Sequence, residues 1–238
     1  MHNMGLLGAA VAGNASWCDA VCREHGYPGT FGTRVWASPG HRLRYYPNAI
    51  SLRPETTAAD VLAAAAPSGP FAVKDSFARL DLGPAGFRPL AEATWIGCDG
   101  GPQGPPDGGS SWERVTAPGE LAGWEAAWAG GSGGGEPVFG PGLLSDPRCA
   151  VLACRRDGMI VAGAIVYAAG GAAGISNVFS AGLPAGRLWA GIRPAVAGLH
   201  PDLPAVGYEE GASLEAARRA GFRALGTLRI WTRSSSAP

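Results

Sequence analysis

The apolar residues of this chain follow two periods, about 3.6 and 2, and the switches between them mark out its elements. Leu7, Val11, Cys18, Val21 and Cys22 share one helical stripe, so an amphipathic helix is expected up to Gly26, where Gly26 and Pro28 stop it. Strand-like runs follow at 34–37 and 49–52. Thr56, Thr57 or Asp60 can begin the next helix, whose Ala-rich body runs to Ala66 before Pro67 and Gly69 end it. Residues 71–77 and 87–96 read as strands.

Residues 97–111 are dense in Gly, Pro and Ser and almost free of apolar side chains, the composition of a linker. Residues 130–137 have the same character but interrupt a pattern that continues on both sides, so a mobile loop is expected there. The second half reads as a strand at 113–115, a helix at 120–128, and strands at 149–155 and 160–168 joined through Asp157-Gly158. Asp-Gly between two apolar runs signals a hairpin. A third strand at 174–180 precedes a helix at 188–199, a strand at 205–208, a helix at 213–220 and a strand pair or one long strand over 222–231.

The two halves carry an internal similarity. Ala72-Val73 leads through a short helix-like segment to Ala85-Gly86-Phe87-Arg88-Pro89-Leu90 and then Trp95-Ile96. Ala205-Val206 leads in the same way to Ala220-Gly221-Phe222-Arg223-Ala224-Leu225 and then Ile230-Trp231. Two related α/β units are therefore expected, a degenerate one over 1–96 and a fuller one over 112–233, joined by 97–111.

Charge narrows the partners. Nineteen basic and nineteen acidic side chains cancel without long blocks of either sign, which argues against nucleic acid or an anionic membrane and for a small molecule or a protein. Among the cationic residues eighteen are Arg and only Lys74 is Lys; with the abundance of Ala, Gly and Pro this points to a GC-rich, bacterial coding genome and singles out Lys74. A lone Lys at a strand end can contact a carboxylate or phosphate, can act as an amine of depressed pKa if buried, or can be a surface cation. Cys18, Cys22, Cys98, Cys149 and Cys154 are odd in number and lack a framework spacing, so reduced thiols and a cytoplasmic setting are expected. No basic residue precedes the apolar stretch at 6–15, which argues against a signal peptide, and no apolar run reaches the roughly 20 residues that span a bilayer. Cys18, Cys22 and His25 recur at intervals that could aim three ligands one way, but a fourth is missing nearby, so no metal is expected.

The order strand, helix, hairpin flowing into a third antiparallel strand, helix, strand, helix, strand over 112–233 resembles the GNAT family of N-acetyltransferases. Val206-Gly207-Tyr208-Glu209 followed by Ala216-Ala217-Arg218-Arg219-Ala220-Gly221-Phe222 is similar to that family's strand, helix and Gly-Phe turn, in which Gly caps the helix and Phe re-enters the core. The resemblance implies an α/β (α+β) fold with a mixed, mostly antiparallel central sheet flanked by helices. It also implies an acyl-coenzyme A cosubstrate, most simply acetyl-CoA, and a small-molecule amine as acceptor.

What the resemblance implies about the site is as follows. The coenzyme pyrophosphate would meet the stretch Ser180, Gly182, Gly186, Arg187 and Leu188, where the amides at a helix start favour an anion. Asn177, Val178 and Phe179 would line one side of a gap between two strands that holds the pantetheine arm, with Tyr208 and Glu209 on the other side. Glu209 or Glu210 would be the base, Tyr208 the acid, and Lys74 a further recruited group. Ala217 stands where the family usually has Tyr, and Glu210 about where it has Asn. These departures keep two alternatives open: a GNAT-like binding or interaction module without transfer activity, and a GNAT scaffold with other chemistry.

Overall fold

The apolar stripe of the first segment forms α1 (His2–Glu24), and the periodic segments after it form the elements of one sheet and its covering helices. The computed structural model describes residues 2–65, 69–101, 111–131 and 136–234. In chain order they are β1 (Thr30–Phe31), β2 (Val35–Ala37), β3 (Ala49–Ser51), α2 (Ala58–Ala64), β4 (Phe71–Asp75), β5 (Arg88–Cys98), β6 (Ser111–Val115), α3 (Pro118–Trp128), β7 (Cys149–Arg156), β8 (Met159–Ala169), β9 (Ala172–Ser180), α4 (Ala185–Leu199), β10 (Ala205–Glu209), α5 (Gly211–Arg219) and β11 (Arg223–Arg233). Of the three possible caps for α2, Thr57 serves: its hydroxyl accepts the Asp60 amide while Asp60 accepts the Thr57 amide, a capping box.

Differences from the sequence reading are local. The two-residue β1 has too few residues to show a period. α4 and α5 begin at Ala185 and Gly211, earlier than expected, because their first turns carry small residues that leave no apolar mark. The last segment is one long strand with two register shifts, and the helix-like stretch before Gly86 is a 3-10 turn at Gly83–Ala85. Most of the expected linker, 102–110, and part of the expected loop, 132–135, lie outside the described residues.

The eleven strands run in the order β1-β2-β3-β4-β11-β5-β10-β9-β8-β7-β6. All neighbours are antiparallel except β3 with β4 and β9 with β10. The mixed, mostly antiparallel sheet implied above is therefore present. Because β5 is bonded between β10 and β11, the sheet runs through the boundary expected at 97–111.

The strand registers repeat. Phe71 to Asp75 pair with Arg233 to Arg229, just as Ala205 to Glu209 pair with Cys98 to Thr94. At the centre β5 and β11 pair about Ala93 and Leu228, with Thr94 opposite Thr227 and Glu92 opposite Arg229. The two sets of pairings match in register, and the last strand of each half lies beside the penultimate strand of the other. Gly86 (φ 79°) and Gly221 (φ 93°) both take the left-handed conformation, and Phe87 and Phe222 both enter the core behind them. In these registers Lys74 takes the place of Tyr208 and Asp75 that of Glu209, one residue away from the alignment of Ala72-Val73 with Ala205-Val206.

Alternation along the strands divides the core between two faces. On one face α1 lays Leu6, Leu7, Ala10 and Val11 on Trp95, Val206 and Leu228, and α3 adds Leu121 and Trp124. On the other, α4 and α5 cover Ile96, Val166 and Ala205 with Trp189, Ile192, Val196, Ala216 and Ala217. The burial of Leu188 or Ile192 alone contributes about 1.5–3 kcal/mol. Val61 of α2 packs with Val73 and Trp231 on the face opposite α1.

Candidate functional site

β9 and β10 are bonded only at Ala205–Ala173 and Val206–Gly174, after which they part. The cause lies in β9. Against β8, Ile165 pairs with Ser176 and Gly163 with Phe179, so two residues of β9 oppose one of β8, and Asn177 in this bulge has φ 53°. Asn tolerates that left-handed conformation better than most residues. The extra residue also resets the alternation. Ile175 and Val178, three apart, both pack toward α4, while Phe179 meets Trp124 on the other face at 5.1 Å between rings. Meanwhile β10 keeps its bonds to β5 through Gly207, Tyr208 and Glu209. A Cβ on Gly207 would stand 3.0 Å from the Ile175 carbonyl, so Gly is needed where the strands separate.

The bulged strand feeds the start of α4. The Ser180 hydroxyl accepts the Leu183 amide at 2.8 Å and donates to the Leu183 carbonyl, closing a turn through Gly182 (φ 121°). The first bond of the helix runs from the Leu188 amide to the Pro184 carbonyl at 3.0 Å. The amides of Ala185, Gly186 and Arg187 therefore have no acceptor within the helix, and they stand at its positive end. Gly186 and Arg187 are exposed, whereas the Leu188 side chain is buried in the core, so only its backbone faces this end.

On the α1 face of the gap the fold gathers polar groups from distant positions. The Lys74 ammonium, 3% exposed, donates to Asn14 Oδ1 at 2.7 Å and to the Tyr208 hydroxyl at 3.2 Å, and lies 4.4 Å from the Tyr208 ring centre. Tyr208 stacks edge-on against Trp95. The Tyr46 hydroxyl donates to Asn177 Oδ1 at 3.4 Å, tying the bulge to the β2–β3 connection. Burial acts against the Lys74 ammonium, and Tyr208 and Cys18 offset this and raise its pKa only in their anionic forms, so in their neutral forms they give it no counter-charge.

Glu209 follows Tyr208 on the strand and turns to the opposite face, toward Ser213 of α5, whose hydroxyl accepts the Trp189 indole N–H at 2.9 Å. Burial raises its pKa from 4.5 to about 7; the hydrogen bond with Ser213 opposes that shift and the neighbouring Glu210 charge adds to it. Glu210 itself is exposed at the start of α5. The structure thus brings Lys74 and Tyr208 together and puts Glu209 across the sheet from them, at the same end of the gap. Cys18 and Cys22 are buried in the core and His25 is hydrogen-bonded with the Val138 carbonyl at 2.9 Å. No cluster among the described residues is suited to a metal ion.

No family model and no curated protein matches the sequence. Solved structures do. A GCN5-related N-acetyltransferase from Kribbella flavida aligns with a TM-score of 0.61 at 14% identity, over 93% of this chain and 96% of that one. A GNAT-family protein from Novosphingobium aromaticivorans, described as a putative acetyltransferase, aligns at 0.58 and 15% identity over 96% and 99%. The chain has a GNAT-like fold. A conserved protein of unknown function from Staphylococcus epidermidis shares it, at 0.59 and 10% identity over 90% and 98%. The GNAT-like fold extends over nearly the whole chain, beyond the half in which the sequence resemblance is clearest. Among the described residues, no helix is long and apolar enough to cross a membrane.

Sequence reasoning missed Asn14, Tyr46 and Cys18 as neighbours of this site. They share no motif and meet only in the folded chain. One signal was present: Asn14 is a polar residue within an otherwise apolar helical stretch.

Proposed function

We propose that this protein is an N-acyltransferase that moves an acetyl group from acetyl-coenzyme A to the amine of a small molecule. The observation that carries this reading is the parting of β9 and β10 at the Asn177 bulge, directly before the unpaired amides that open α4. A pantetheine arm lies between the strands, against the backbone of Asn177, Val178 and Phe179. Its pyrophosphate rests on the amides of the turn from Ser180 and Gly182 into Gly186, Arg187 and Leu188, with the Arg187 guanidinium adding charge.

The amine attacks the thioester carbonyl, a C–N bond forms as the C–S bond breaks, and backbone amides of the bulge hold the developing oxyanion. Glu209 takes the proton of the attacking ammonium. With a pKa of about 7 it is poised for that exchange near neutral pH, and Glu210 acts through it by charge. Tyr208 gives a proton to the departing thiolate from the other face, its hydroxyl held by Lys74. A thioester lying in the plane between two strands is open to groups from both faces. The five cysteines are all buried, a setting that suits a cytoplasmic enzyme.

The matching registers of β4 with β11 and β10 with β5 support reading residues 1–96 and 112–233 as two related units that exchange their last strands. Release of free thiol from acetyl-coenzyme A in the presence of an amine panel tests the transfer. Binding of the coenzyme without thiol release would favour the rival reading, a binding module, for which the buried Ala217 in place of the family's Tyr already speaks.

A further inference from the structure

Lys74 is the chain's single lysine and its ammonium is buried without an anion. The buried carboxylates among the described residues are Asp19 and Asp75, and both are committed elsewhere. Asp19 accepts from the Gly29 amide, the Trp36 indole and Arg23. Asp75 accepts from the Phe77 and Leu80 amides. No carboxylate of the described residues lies within ion-pair distance of Lys74, whose partners Asn14 and Tyr208 are neutral. These two acceptors use two of the three ammonium N–H donors.

An uncompensated buried charge costs several kcal/mol, so a fold that keeps one gains little stability from it. Beside it the gap opens into a narrow pocket whose wall includes Asn14, Trp17, Trp95, Ser176 and Gly207. Asn14 both lines this pocket and holds Lys74, and Trp95 both lines it and packs on Tyr208. The pocket is therefore aromatic and small, with a few neutral hydrogen-bonding groups in its wall, and Lys74 stands behind Asn14 rather than in the lining itself.

We infer that Lys74, set by Asn14 and Tyr208 at the end of the β9–β10 gap, is a carboxylate subsite, so that one of the two reactants carries a carboxylate group. The inference rests on the acyl-transfer reading for what passes through the gap. The carboxylate belongs either to the acceptor, which is then an amino acid, or to the acyl group, which is then a short dicarboxylic one. Lys74 is here a specificity residue, supplying the missing counter-charge only when the proper reactant is bound.

Calorimetric titration of the full chain distinguishes the two sources. In one arm glycine and alanine are compared with their amides, in the presence of acetyl-coenzyme A. In the other, malonyl- and succinyl-coenzyme A are compared with acetyl-coenzyme A. A preference of tenfold or more for the carboxylate-bearing ligand is expected in one arm, and it should vanish in Lys74→Met. That variant replaces the ammonium with an apolar chain, so it should unfold at the same temperature as the parent or higher, and Asn14→Ala offers a second route to weaken the subsite. No preference in either arm, or a preference that survives Lys74→Met, overturns the inference. Equal, tight binding of acetyl-coenzyme A throughout would leave the transfer reading standing while the subsite falls. A Lys74-dependent preference for free amino acids without coenzyme binding would do the reverse.

Discussion

Glu209 is the residue whose chemistry the site constrains most. Its carboxyl is raised to about 7 by burial, so in the proposed role of base it would work only above that pH. Activity should therefore rise with pH through about 7 and level off, and Glu209→Gln should lower kcat by about 10²–10⁴-fold with the coenzyme affinity retained. The linkage has a definite sign. A carboxyl raised in the folded state favours the protonated form, so its contribution to stability is present at acid pH and lost as pH rises from about 4.5 through about 7. Glu209→Gln should thus be the more stable protein at pH 8, by on the order of 1 kcal/mol, and lose that advantage near pH 5. Denaturant melts at the two pH values check this; an unchanged difference between them would contradict the burial-driven shift. Glu209 and Tyr208 were legible in the sequence as a strand end before a helix. That they face opposite sides follows from alternation, but that Tyr208 meets Lys74 depends on the order β4-β11-β5-β10, which no local pattern announces.

At the level of elements, the gap depends on one bulge. Asn177 holds φ 53° and its side chain accepts from Tyr46, so backbone and side chain can be tested apart. Asn177→Gly keeps the backbone conformation and should retain coenzyme binding. Asn177→Val, branched at Cβ and strained at positive φ, should lose about 1–3 kcal/mol of stability and weaken binding at least tenfold. Equal behaviour of the two variants would show that the bulge does not shape the gap. The sequence announced β9 as a strand by its apolar residues, but the bulge was hidden, because Ile175 and Val178 read as an ordinary apolar run until their shared face is known. The start of α4 was displaced for a similar reason: Ala185 and Gly186 belong to its first turn and carry no apolar signal.

At the scale of the whole molecule, the last strand of each half lies beside the penultimate strand of the other. Neither half can then satisfy its sheet alone. Chemical unfolding should follow one transition by tryptophan fluorescence and by circular dichroism together, and residues 1–101 or 111–238 expressed separately should not fold. Two separated transitions would contradict the exchange. Gly86-Phe87 and Gly221-Phe222, the residues that suggest a repeat in the sequence, both sit at left-handed turns. The alignment of Ala72-Val73 with Ala205-Val206 is one residue off because the spacing before those turns differs, and only hydrogen-bond register fixes it.

The proposed coenzyme site, the β9–β10 gap with the start of α4, is open to one decisive experiment. Titration of the purified chain with acetyl-coenzyme A by calorimetry, beside Arg187→Gln, tests it most directly. Saturable binding of one coenzyme per chain is expected, weakened several-fold by loss of the Arg187 charge and relieved of part of its salt dependence. A folded protein that takes up no coenzyme, or binds it with the same affinity and salt dependence in both forms, would contradict the account.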